Sequence, residues 1–227
     1  MIIRPIIVSP KYQINIGYIA RISKNFGMNE IIFIAPRAKV LGKKAIMYSK
    51  HGRELLESAR CFDSLKEIEG SFDLLIGSTG IAERGRIDIR RPLSPTEVLE
   101  RIERMGKKGL RIGLVIGRDD TGLSADELDL CDIVVNIRAD PEYPVLNISH
   151  ALGIMLYELT KKELGKPEED KGPDEKELLK LFGVFESSLD GKKIRNRKAV
   201  IAAFKRVVKF SKPSAKEVHA LITAFKQ

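Results

Sequence analysis

Cysteine is almost missing from this chain. Its 227 residues include two, Cys61 and Cys131, and neither stands in a CxxC pair or a Cys/His cluster. That excludes a disulfide framework or a zinc ribbon as the organising device, and both are expected to be buried free thiols. Histidine is as scarce. His51, His150 and His219 have no ligand partner at metal spacing, no HExxH occurs, and no metal is expected; His150 should sit inside a buried helix as a core residue. No apolar run approaches the ~20 residues needed to cross a bilayer, and Met1 leads straight into the strand-like IIRPIIV without a secretory signal. A cytoplasmic protein is expected. The usual glycine signatures are also wanting: no GxxxxGK[ST], no GxGxxG after a strand and no GxSxG appears, which removes P-loop, dinucleotide and serine-hydrolase readings.

Acidic residues are missing from one place in particular. Between residues 192 and 227 there are eleven Lys and Arg against a single acid, Glu217. Of the chain's 40 bases and 31 acids, this leaves 29 and 30 for residues 1–191. The net charge of +9 therefore belongs to the last helices alone. A solvated helix face normally intersperses acids, so this asymmetry points to nucleic acid. Lys192, Lys193, Arg195, Arg197, Lys198, Lys205 and Arg206 are the candidate phosphate contacts there.

What the chain does have is alternation. Short apolar runs at residues 2–8, 31–35, 73–77, 110–116 and 133–137 read as buried strands. Helix-period segments separate them: residues 15–25, stopped by Gly27; 43–60, broken at His51-Gly52; a helix from the Ser94-x-x-Glu97 capping box to about Arg104; and a short one behind Ser124-x-x-Glu127. Residues 147–162 form a helix with apolar positions nearly all round, expected to be buried. Such alternation predicts an α/β fold with a parallel sheet and helices on both faces. Residues 163–176 carry Gly, Pro and charge with no apolar anchor after Leu164 and read as a linker. Three amphipathic helices follow at 178–189, 194–210 and 214–225, so the expected organisation is a domain at 1–162, a linker at 163–176 and a helical extension at 177–227. The arginine-rich stretch from Ile81 to Pro95 (Arg84, Arg86, Arg90, Arg91) reads as a mobile loop over the substrate.

Three loops end on the carboxyl side of expected strands: Ser78-Thr79-Gly80, Gly117 to Gly122, and Ile137 to Leu146. Ligands of open α/β sheets bind at that edge. Glycines and small residues there let backbone NH and CO groups approach a nucleoside closely.

Taken together, three stretches carry a resemblance. Asn15-x5-Arg21-x3-Asn25-Phe26-Gly27, IGRDDTGLS from Ile116 to Ser124, and PEYPVLNISHA from Pro141 to Ala151 resemble, in order, the three motifs of the SpoU branch of the SPOUT RNA methyltransferases. The phrases ELDLCD (Glu127 to Asp132) and DPEYPVLNISHA (Asp140 to Ala151) are similar to the TrmJ group of tRNA ribose methyltransferases. The resemblance covers roughly residues 1–162, and the helical extension is similar to that group as well.

The resemblance implies a SPOUT domain whose carboxyl-terminal segment threads a trefoil knot, with residues 117–122 and 137–147 as knot loops. S-adenosyl-L-methionine would be held there by Ser78, Thr79, Gly80, Gly117, Ile137, Val145, Leu146 and Asn147. It implies a homodimer with the site at the interface, Arg21 as catalytic arginine, and Asn15, Asp119 and Asn147 as the polar residues of motifs one, two and three. Two positions depart from the pattern. Asp119 stands where the acid is usually Glu, one methylene longer, and Val145 where related enzymes often have Ser. The implied reaction is methyl transfer to a ribose 2′-hydroxyl of tRNA, at a cytidine that opens the anticodon loop. Ribosomal RNA, a base nitrogen, or RNA binding without catalysis on the same scaffold remain open alternatives.

Overall fold

The computed structural model describes residues 1–80, 91–164 and 172–226. Six parallel strands form one sheet: β1 (Ile2–Val8), β2 (Ile32–Ile34), β3 (Arg60–Phe62), β4 (Leu74–Thr79), β5 (Arg111–Ile116) and β6 (Ile133–Asn136). Their order across the sheet is β3-β2-β1-β5-β4-β6. Alternation along each strand divides the apolar side chains between the two faces. Ile3, Ile7, Ile112, Leu114 and Ile116 go to one core, and Ile6, Val8 and Val115 to the other. Pro5 is tolerated inside a central strand because the β1–β2 ladder opens only at Ile6, so its missing N–H costs that ladder nothing.

The first face is covered by α1 (Gln13–Asn25), α2 (Lys43–Ser49), α3 (Arg53–Glu57), α4 (Pro95–Met105) and α6 (Ile148–Thr160). The second face carries a thinner layer: the short α5 (Ala125–Asp129) and two 3-10 turns that bury Leu65 and Ile68. The expected α/β class with helices on both faces is what the chain forms. At the far edge, Leu93 pairs in parallel with Val135, donating from its N–H to Val134 O at 2.9 Å. β6 therefore lies between β4 and a segment that precedes it in sequence.

Helix boundaries follow local chemistry. Ser94 and Ser124 each accept from the N–H three residues on while Glu97 and Glu127 reach back, the reciprocal capping expected from their spacing. Gly27 ends α1 with φ +72°, which only glycine takes without strain.

Four expectations need correction. Residues 43–60 are not one broken helix: a 3-10 turn separates α2 from α3, and residue 60 already belongs to edge strand β3. Cys61, on that strand, is exposed; Cys131 is buried. Helix α6 is not buried all round, since it packs on the sheet, α1 and α4 by one side only, leaving Ile154 41% and Tyr157 57% exposed. His150 is exposed on that outer side and is no core histidine.

The chain divides into two compact units, residues 1–165 and 166–227. The second consists of α7 (Glu175–Ser188), α8 (Arg197–Ser211) and α9 (Ala215–Phe225). Asp174 caps α7, so this helix opens two residues inside the stretch read as linker. Its core is small: Leu181, Phe182, Val208, Val218 and Ile222, with Phe204 and Phe225 at its edge.

Candidate active site at the carboxyl edge of the sheet

β4, β5 and β6 run side by side and all point the same way, so their carboxyl ends deliver three loops to one place. Those loops line a partly open cleft, at the edge where ligands of open α/β sheets bind. Of the residues expected to bind a cofactor, Ser78, Thr79, Gly80, Gly117, Ile137, Val145 and Leu146 line it, and Asn147 does not. Ile116, Arg118, Pro144 and Ile148 also line it and were not singled out in the sequence.

Close packing explains Gly117. A Cβ on Gly117 would sit 2.3 Å from the carbonyl carbon of Gly122 and 2.4 Å from the Leu123 nitrogen, an overlap no rotamer relieves because both are backbone. A Cβ on Gly80 would enter the space beside Val145, whose Cγ2 would lie 3.4 Å away. The 117–122 loop is clasped at its base by Arg118 N donating to Gly122 O (3.1 Å) and Gly122 N donating to Arg118 O (3.2 Å). The Arg118 guanidinium then grips Glu127 with both ends, at 2.7 and 2.8 Å, and reaches Gly122 O at 3.1 Å. This two-point pairing ties the loop to α5. Burial pushes the Glu127 carboxyl up, but the Arg118 and Ser124 hydrogen bonds outweigh it and leave the group below the ordinary glutamate range. Arg118 is held charged by the Glu127 hydrogen bond. Its position, nine residues from the second acid of a capping box, was the only signal for this pairing.

The polar residues of the three motifs are joined in one hydrogen-bonded chain. Asp119 accepts from the Lys11 backbone N–H at 2.8 Å and from the Asn15 side-chain amide. Asn15 Oδ1 accepts from Asn147 Nδ2 at 3.1 Å. Asn147 caps α6, its Oδ1 accepting from Ser149 N at 2.9 Å and Ser149 Oγ at 2.7 Å. Asp119, though a methylene shorter than Glu, thus still spans two elements.

Arg21 is not brought to this cleft. It is exposed on α1, six residues past Asn15 and so about 120° round the helix from it at ~100° per residue. No hydrogen bond or ion pair holds it among the described residues. Arg84, Arg86 and Arg90 lie outside the described residues; Arg91 is within 3.5 Å of Glu97. In the helical unit, Lys192, Lys193, Arg195, Lys198 and Arg206 are exposed. Arg197 is engaged by Asp190 (2.5 Å), and Lys205 lies 3.9 Å from Glu186. Among the described residues there is no cluster of three His, Cys, Asp or Glu able to hold a metal ion.

Known proteins share this sequence and shape. Tested against protein families, residues 3–157 match the SpoU rRNA Methylase family. The tRNA (cytidine-2′-O-)-methyltransferase TrmJ of Methanocaldococcus jannaschii is 34% identical over 232 residues, spanning 100% of this chain and 99% of that one. The crystal structure of TrmJ from Z. mobilis ZM4 superposes over 100% of both chains with a TM-score of 0.70 at 24% identity. The SpoU methyltransferase AviRb from Streptomyces viridochromogenes, in complex with the cofactor AdoMet, superposes with a TM-score of 0.57 at 20% identity, over 73% of this chain and 59% of that one. With its motifs joined at one sheet edge and more than half its length matched, the chain belongs to the SpoU methylase family.

Proposed function

We propose that this protein transfers a methyl group from S-adenosyl-L-methionine to a ribose 2′-hydroxyl of tRNA. The observation that carries the reading is the hydrogen-bonded chain Asp119–Asn15–Asn147, which binds the three motifs together beside a cleft made largely of backbone and small residues. The cleft suits the cofactor. Gly80 leaves backbone exposed to a ligand, and Ile137 and Leu146 offer apolar surface for an adenine ring. When bound, S-adenosyl-L-methionine supplies an electrophilic methyl on a sulfonium.

The chain's own residues must then place the hydroxyl in line and manage its proton. Positioning alone is worth as much as ~7–11 kcal/mol in the best cases. Asn15, Asp119 and Asn147 form the frame that keeps the strand-end loops in register. Arg21 fixes a phosphate beside the target ribose and stabilises the oxygen as it becomes an alkoxide; with a pKa above ~12 it is a poor base. In a single chain Arg21 stands away from the cleft, so it serves the cleft of a second subunit. The outer sides of α1 and α6 support such a homodimer: Tyr18, Ile154 and Tyr157 are 37%, 41% and 57% exposed, and these two helices pack side by side. Such a patch is what an isologous interface covers.

In this reading residues 1–162 are the SPOUT domain, knotted at 117–122 and 137–147, residues 163–176 are a linker and 177–227 an RNA-binding extension, all at work in the cytoplasm. Support for the knot comes from β6 lying inside Leu93, after which Pro144, Val145, Leu146 and Ile148 return to the cleft. Support for tRNA, and for cytidine, comes from the Methanocaldococcus jannaschii relative of that name, which matches the extension as well as the domain. The first nucleotide of the anticodon loop follows from the TrmJ-like motifs. The test is methyl transfer from radiolabelled S-adenosyl-L-methionine to bulk tRNA and, separately, to ribosomal RNA. Label in tRNA alone is expected. Label confined to ribosomal RNA would reassign the substrate, and none in either would refute the activity.

A further inference from the structure

The helical unit contains five phenylalanines, and four of them pack together. Phe182, Phe185, Phe204 and Phe225 have ring centroids 3.8 to 6.4 Å apart. Phe210 does not join them. It is 90% exposed, more than any other large apolar residue described. Nor is it isolated, because Val200, Ala203, Val207 and Phe210 fall at steps of three, four and three along α8 and so share one side of it. Val200 is 39% and Val207 60% exposed, while Val208 on the packed side is buried. Helix α8 thus has two apolar sides and uses only one in its own core.

Charge indicates what covers the other. Arg206 lies about 40° round the helix from Phe210, with Lys209 and Lys198 about 100° and 120° round on the exposed side, and among the described residues no acid pairs with them. Helix α8 has no acidic residue at all. A second copy of α8 laid on this stripe would crowd two basic helices together with no acid on either to neutralise them. A single strand of nucleic acid supplies both complements, a planar base for the ring and phosphates for the cations. A continuous duplex does not, because its bases are stacked away inside.

We infer that the α8 stripe ending at Phe210 is a stacking platform for an unpaired nucleobase of the substrate RNA, with Lys198, Arg206 and Lys209 on the neighbouring phosphates. The inference rests on the RNA-binding reading of the extension and narrows it to loop rather than stem.

The chain contains no tryptophan, so Phe210→Trp in the full-length protein places a single reporter on the platform. Titration with bulk tRNA should quench its emission, whereas a fully paired RNA duplex should not. Phe210→Ala should weaken tRNA binding roughly tenfold or more, the range of one base–aromatic stack. It should leave the salt dependence of the affinity unchanged, since no charge is lost. The ring is solvent-exposed, so its removal should not unfold the unit. Binding of tRNA with unaltered emission and wild-type affinity for Phe210→Ala would overturn the platform while leaving the extension as an RNA binder. Wild-type affinity and salt dependence in Arg206→Ala/Lys209→Ala as well would overturn the RNA-binding reading itself. Emission that shifts to the blue with protein concentration, without RNA, would show a second copy on the stripe and contradict the inference.

Discussion

The two units of this chain bury their apolar residues and spend their polar ones in opposite ways. In residues 1–165 a six-stranded sheet is covered on both faces, and 25 bases stand against 22 acids. Its site residues are held in fixed pairs: Asp119 with Asn15, Arg118 with Glu127. The helical unit has a single small core, and Lys192, Lys193, Arg195, Lys198, Arg206 and Lys209 face solvent with no acid paired to them among the described residues. Paired groups hold geometry, as methyl transfer demands. Unpaired cations hold a polyanion in many registers. We propose that geometry and grip thus fall to different units, with Arg21, exposed on the first, carrying the chemistry.

That division can be broken by substitution. The largest effect is expected from Arg21→Ala, which should lower turnover by about 10²–10³-fold, the size seen when one donor to a developing oxyanion is lost. Cofactor affinity, read by calorimetry, should be unchanged. Turnover near wild type would remove Arg21 from the chemistry. Next comes Gly117→Ala. With backbone 2.3 Å from the new methyl, overpacking should cost about 1–3 kcal/mol, seen as a lower melting temperature, and should abolish cofactor binding. Third, Lys198→Ala/Arg206→Ala/Lys209→Ala should leave turnover at saturating RNA intact and raise Kd. Its slope of log affinity against log salt should fall by about 0.7–0.9 for each phosphate that is no longer neutralised. A fall in turnover with unchanged Kd would reverse the proposed division.

The smallest effect concerns acid. Glu127 has its folded-state carboxyl below the ordinary range, because Arg118 and Ser124 together outweigh the burial that raises it. Its contribution is therefore present above the unfolded value of about 4.3 and lost as pH falls through the lower, folded one. Acid should loosen the 118–122 loop, and Glu127→Gln should flatten that part of the stability profile below pH ~5. An unchanged acid limb in Glu127→Gln would show that the Arg118 pair contributes nothing to it.

Most of the sheet was legible because β1, β2, β4 and β5 are apolar runs ended by Gly, Ser or Pro and β6 is one ended by Arg138, and capping boxes at Ser94 and Ser124 marked helix starts. β3 was not. Arg60-Cys61-Phe62 has no apolar pattern of its own and is a strand only because Ile32–Ile34 pairs with it. His150 and Ile154 were misplaced for a related reason: a helix apolar on nearly every side looks buried in sequence, yet α6 has neighbours on one side only within this chain. At the site, Asn15, Asp119 and Asn147 were readable as motif residues. Their bonding was not, because it spans 104 and 132 positions and depends on strand order. The same order leaves Arg21 outside its own cleft, which no spacing along α1 could have announced.

Nucleoside mass spectrometry decides the reaction most directly. Bulk tRNA incubated with the protein and methyl-deuterated S-adenosyl-L-methionine, then digested to nucleosides, should yield labelled 2′-O-methylcytidine, with the label lost in Arg21→Ala. Label on a base, or a deuterated ribose methyl that persists in Arg21→Ala, would contradict the mechanism proposed for this site.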